Sequence, residues 1–198
     1  MPFASRVATG GGDATYAAAL SEVHHNFVDA GYGGSQAWDG DDGSGWLHIY
    51  SNVMWNADGF KTDYGGHDSL VHDNLIIVRT YDGQACINSG DFVPGHETRI
   101  FNQTCVLPPG GSSPRESPNV VAHVDQACFG PAPGRLVAHG NAYFTRDGNA
   151  TAVCGDGSQV LIANMTPPFE AGSTSGTTPP GDVLIAWARE LLGMVVNK

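Results

Sequence analysis

Acidic, imidazole and ammonium groups gather in three short stretches of this 198-residue chain. The first holds Asp39, Asp41 and Asp42; the second Lys61, Asp63, His67 and Asp68; the third Asp91, His96 and Glu97. Two bond-breaking chemistries suit these types. Glycosidic hydrolysis needs one carboxylic acid to protonate the leaving oxygen and one carboxylate to activate water. Asp41, Asp42 and Asp63 are candidates, because crowded like charges raise one pKa and keep that acid protonated. β-Elimination instead needs a base beside a uronate carboxylate and a cation to neutralise that carboxylate. Lys61, the only internal lysine, is the candidate base, and calcium held by Asp39, Asp41 and Asp42 is the candidate cation. An epimerase would add a second proton donor, for which His67 or Tyr64 is suited. His96 completes the candidate list, since Gly95-His96-Glu97 repeats the local pattern of Gly66-His67-Asp68. The competing reading is local: Asp39-Gly-Asp-Asp-Gly-Ser-Gly45 has the composition of a turn, or of a purely structural calcium site. No two histidines have the helical spacing common among zinc ligands, which disfavours a His/Asp zinc site.

Residues so far apart need elements that return to the same place. Five segments look alike, ending on Asn26, Asn52, Asn74, Asn102 and Asn141, at spacings of 26, 22, 28 and 39 residues. A weaker match, Ala122-His-Val-Asp125, lies between the last two. Apolar residues follow most of these Asn positions, and Gly-rich turns come next. This is the pattern of a stacked coil: each turn of roughly 20–28 residues supplies two or three short strands that pair in parallel with the next turn. An Asn at the same corner of each coil satisfies backbone groups that the corner leaves unpaired. His24, His72, His123 and His139 recur two positions before the Asn or Asp and read as a structural column; His67 and His96 lie outside it. The offsets Asp42 to Asp63 (21) and His67 to His96 (29) are each about one coil, so the three polar stretches are expected to form one ridge. Leucine-rich repeats also carry a recurring Asn, but Ser21, Ser69 and Glu97 stand where the leading Leu is needed. A β-sandwich with Asn at its hairpins would not explain the fixed local context, and regular Thr-x-Thr ladders of an ice-binding solenoid are missing.

The expected fold is therefore all-β: a right-handed parallel β-helix over residues 1–164, an extended linker over 165–181 and a C-terminal capping α-helix over 182–193, with Asp182 as N-cap and Gly193 as the stop. No equivalent cap is apparent at the N-terminus, which suggests that upstream coils are missing. The chain resembles the superfamily of pectate lyases, polygalacturonases and alginate epimerases, and within it the secreted β-helix domains of marine algae and invertebrates. Trp38–Trp46, Phe60–Asp68, Pro94–Glu97 and Ala186–Gly193 carry the resemblance, which spans roughly residues 20–193. It implies a polysaccharide partner and a site along one flank of the coils. An Asp pair, a further Asp and a Gly-His element resemble the polygalacturonase site, although the Asp pair here precedes the Thr-Asp element and the Arg-Ile-Lys element is absent. The other function class left open is a non-catalytic glycan-binding or extracellular structural module.

Composition bounds the rest. Nine basic against 20 acidic residues give a net charge of −11, which disfavours nucleic acid, anionic membranes and, without a bridging cation, polyanionic glycans. No apolar run is long enough to span a membrane. The 27 glycines have no three-residue period, which excludes collagen. Four cysteines without a C-x-x-C pair and three sequons, at Asn102, Asn149 and Asn164, point to secretion. Cys86 and Cys105 lie about one coil apart and are expected to bridge; Cys128–Cys154 would close the C-terminal part. Asn102 is cast as both ladder residue and sequon, so Asn149 and Asn164 are the expected glycan sites. The opening residues carry no signal peptide. A monomer, or part of a longer chain, is expected.

Overall fold

The computed structural model describes residues 20–29, 36–78, 86–91, 93–107, 119–124, 135–165 and 169–194. Short β-branched and aromatic segments bounded by turn residues form the strands β1 (Ser21–His24), β2 (Phe27–Asp29), β3 (Gln36–Gly40), β4 (Leu47–Tyr50), β5 (Val53–Trp55), β6 (Asp58–Thr62), β7 (Leu70–His72), β8 (Leu75–Ile77) and β9 (Ile87–Ser89). They continue as β10 (Glu97–Phe101), β11 (Thr104–Val106), β12 (Val120–Val124), β13 (Arg135–His139), β14 (Ala142–Thr145), β15 (Thr151–Cys154), β16 (Gln159–Leu161) and β17 (Thr174–Thr177), and α1 (Gly181–Leu191) closes the series. Up to β15 every third strand returns to the same sheet, and β16 folds back beside β15. The orders are β1-β4-β7-β10-β13, β17-β14-β11-β8-β5-β2 and β16-β15-β12-β9-β6-β3; we call these sheets A, B and C. All pairings are parallel except β15 with β16. Strand alternation sends Ile49 from sheet A, Met54 from sheet B and Phe60 from sheet C into one buried cluster.

The corner between sheets A and B shows why Asn recurs. His25, Ser51, Asp73, Asn102 and Gly140 all take positive φ there, and the next residue turns inward. The Asn26 backbone N–H and Nδ2 donate to Asn52 Oδ1, both at 3.0 Å, and the same groups of Asn52 donate to Asn74 Oδ1 at 2.9 and 3.0 Å. Asn102 is a correction to the expected ladder. Ile100 pairs with Val71, so the ladder position in that coil is Gln103, whose N–H donates to Asn141 Oδ1 at 2.8 Å. Asn102 is instead the exposed corner residue, a conformation that Asn tolerates well. Its sequon therefore sits in the open, which removes the conflict with burial. Asn149 and Asn164 are exposed too.

Outside the same corner, His24, Tyr50, His72, Phe101 and His139 form a continuous stack with centroids 4.8–5.4 Å apart. His123 does not belong to that column; it lies in β12 of sheet C, opposite Asn88. Its partner in the weak repeat, Asp125, is outside the described residues.

The helix departs from the expected cap in place and in boundary. Sheet B is apolar on its outer face as well: Val53, Leu75, Ile77 and Val106 are buried there against Leu184 and Ala188 of α1, with Trp187 and Leu191 packed alongside. Two apolar faces need two covers, so the helix lies on that face. Pro180, not Asp182, is the N-cap. Gly193 (φ 67°) does end the helix; its N–H donates to Glu190 O at 3.0 Å and that of Met194 to Arg189 O at 2.7 Å, which is a Schellman closure. Within the stretch expected as a linker, β17 pairs with β14. Cys86 and Cys105 form a disulfide between sheets C and B. Cys128 is outside the described residues, and no cysteine among the described ones is free. Among the described residues no helix is long and apolar enough to cross a membrane.

Candidate functional site

The corner leading from sheet C back to sheet A holds the polar stretches. Turns from consecutive coils stack there: Gly43 N–H donates to Tyr64 O at 3.1 Å, Gly65 N–H to Asp91 O at 3.2 Å and His67 N–H to Ser44 O at 3.0 Å. The approach is too close for side chains at two points. A Cβ on Gly66 would stand 2.0 Å from Gly40 O, and one on Gly45 would stand 2.8 Å from the His67 ring. Along this edge the candidate residues divide into two groups.

The first group surrounds Lys61. Register places Lys61 of β6 beside Asp39 of β3, and Asp41 and Asp63 follow two residues farther along the same two lines. The ammonium lies 2.5 Å from Asp41 Oδ2, 3.4 Å from Asp39 Oδ1 and 3.9 Å from Asp63 Oδ2. The exposed Tyr64 ring lies 5.5 Å from it. Burial pulls the Lys61 pKa down, but the Asp41 hydrogen bond and the charges of Asp39 and Asp41 outweigh it, and the net shift is upward. Lys61 is therefore a fixed cation. Burial raises the Asp39 carboxyl, Asp41 raises it further, and Lys61 opposes them without cancelling the rise. Asp42 stands at the exposed tip of its turn with φ 53° and is not among the groups around Lys61. The calcium expectation for Asp39, Asp41 and Asp42 does not fit this geometry: the Lys61 ammonium occupies the place between Asp39 and Asp41 that a cation would take.

The second group is His67, Asp68 and His96. Asp68 is buried, and its Oδ2 lies 3.0 Å from His67 Nδ1 and 2.5 Å from His96 Nδ1. The two rings are 4.7 Å apart, and Trp46 sets its edge against His67 at 6.1 Å. Glu97, next to His96, is buried and receives Arg99 Nε at 2.6 Å. Asp68, which joins the two histidines, is marked in the sequence only by the repeated Gly-His-acid pattern of Gly66-His67-Asp68 and Gly95-His96-Glu97.

A further buried carboxylate, Glu170, lies outside the stretches that the sequence marks. It accepts hydrogen bonds from Tyr143 Oη at 2.5 Å, from Asn141 Nδ2 at 3.2 Å and from Ser173 Oγ. Burial raises both its pKa and that of Tyr143, the latter well above 10.0. With every donor aimed inward at the end of the Asn ladder, this is a structural network. No family model matches the chain, and neither the curated proteins nor the solved structures contain a significant match.

Proposed function

We propose that this chain is a secreted right-handed parallel β-helix that hydrolyses a polysaccharide held along the C-to-A edge. The observation that carries the reading is the group around Lys61: three carboxylates share one ammonium, and one of them, the half-exposed Asp39, is held above its ordinary pKa. Asp39 is suited to protonate the leaving oxygen. Asp63, at the longest distance from Lys61, is suited to direct water, and Lys61 with Asp41 fixes the spacing. Elimination is less well supported, because a lysine whose pKa is raised does not serve as a base at neutral pH. The net acidic chain, with Lys61 already paired, favours a neutral glycan over a polyuronate. The disulfide fits an oxidising compartment.

A panel of neutral and uronic polysaccharides tests this. Hydrolysis yields new reducing ends without the absorbance of unsaturated uronate. Absorbance together with reducing ends would replace it with elimination. Retention on a glycan column with neither product would make the chain a binding module. Asp39→Asn and Asp63→Ala are each expected to lower the rate by about a thousandfold, while Asp156→Ala, in the exposed β15–β16 turn, leaves it unchanged.

A further inference from the structure

We propose that His67, Asp68 and His96 form a binding site for a transition-metal dication of the zinc class. The site lies beside the Lys61 group and does not depend on what that group does.

Three observations carry it. One ligand atom from each residue lies within 4.8 Å of the other two. Zinc bonds of about 2.0–2.2 Å to nitrogen and oxygen place tetrahedral ligands roughly 3.3 Å apart. The His67 Nδ1 to Asp68 Oδ2 distance, 3.0 Å, is already close to that, and the His96 contact of 2.5 Å opens by less than an ångström through rotation of a part-exposed ring. Next, both imidazoles aim the same nitrogen, Nδ1, at one buried carboxylate oxygen. A dication at that convergence replaces the two Nδ1–H contacts, and the ring protons move to Nε2. Finally, the frame is prearranged. Asp68 takes φ 49°, Glu97 N–H approaches its other oxygen at 3.4 Å, and His67 is bridged to Gly45 in the preceding coil.

The donor set decides which ion. Two imidazole nitrogens and one carboxylate suit zinc and its neighbours, whereas calcium and magnesium favour shells of oxygen. Three protein ligands leave a fourth position open to water or substrate. The histidines are also sufficiently far apart in sequence, 29 residues, that only coil stacking makes them one site.

Titration of the full chain with Zn²⁺ by calorimetry, and with Co²⁺ by its visible absorption, tests the proposal. One equivalent is expected to bind, with the intense visible bands of four-coordinate cobalt, and Ca²⁺ does not compete. His67→Ala, His96→Ala and Asp68→Asn each weaken binding by roughly a hundredfold or more, with circular dichroism confirming the fold. A second histidine pair, His48 and His72, has Nε2 atoms 2.8 Å apart and is the internal control. Loss of the stoichiometric site in His48→Ala with retention in His67→Ala would overturn the assignment, as would octahedral cobalt spectra or no binding. Because the readout is metal binding, its failure is independent of failure to hydrolyse a glycan.

Discussion

Two corners of the same coil treat backbone and side chains in opposite ways. At the A-to-B corner each positive-φ residue is followed by an amide, and the amides of Asn26, Asn52 and Asn74 bond one to the next along the stack. Side chains outside that corner stack ring on ring. At the C-to-A corner the turns also stack through backbone bonds, but the side chains they present are carboxylates, imidazoles and one ammonium. These remain partly open: Asp39 is half exposed and His96 is 37% exposed. One corner buries its paired amides, and the other pairs its charged groups at an edge that stays partly open to solvent. Repetition alone thus does not mark structure or function; what matters is whether the paired polar atoms are buried or within reach of a ligand.

The largest expected effect breaks the closed corner. Asn52 is fully buried, accepts from Asn26 and donates to Val23 O, Tyr50 O and Asn74. Asn52→Ala is expected to cost about 3 kcal/mol in chemical denaturation, because several buried groups lose their partner at once. Asp42→Asn, at the open corner, keeps a residue that tolerates its φ of 53° and is expected to cost less than about 0.5 kcal/mol; equal losses would erase the contrast. Replacing both Cys86 and Cys105 by Ser, which frees a 19-residue loop, is expected to cost about 3 kcal/mol as well. The cost is read as the difference in unfolding free energy between the double variant and the oxidised wild type; no difference would mean that the bridge does not restrict the unfolded chain.

A gain is expected at the weak rung of the ladder. Gln103 keeps a buried Oε1 without a partner among the described residues. Gln103→Asn shortens the side chain to that of the other rungs and is expected to stabilise by about 1 kcal/mol. A loss would show that the longer side chain is needed for packing.

The smallest effect is a pH trend at the end of the ladder. Burial holds Glu170 above 4.5, against the donors Ser173, Tyr143 and Asn141. The folded chain therefore binds that proton more tightly than the unfolded one. Its contribution is complete below pH 4.5 and is lost as pH rises through the raised value. The melting temperature of the wild type relative to Glu170→Gln should accordingly fall as pH rises above 4.5. A flat difference would mean that the carboxylate's donors offset its burial.

The recurring Asn made parallel stacking legible, because a fixed polar residue in a fixed apolar context has few uses other than a repeated corner. It also misplaced one rung: Arg99-Ile-Phe-Asn102 matched the pattern one residue early, and only strand register shows that Gln103 takes the buried place. Helical spacing was a poor guide to His67 and His96, since coil stacking brings together residues that no local motif joins. The helix was legible from its apolar stripe, whereas its position was not, because the outer face of sheet B becomes apolar only when Val53, Leu75, Ile77 and Val106 are aligned by register.

The sequence by itself determined the period, the strand-rich composition, the Cys86–Cys105 spacing and the stretch 39–97 in which the polar groups lie, since these follow from residue type and distance along the chain. Tertiary structure alone decided that Lys61 is held by Asp39, Asp41 and Asp63 while His67 and His96 share Asp68. The physical reason is register: in a parallel stack, a shift of one residue turns every side chain to the opposite face, and sequence spacing does not fix that shift.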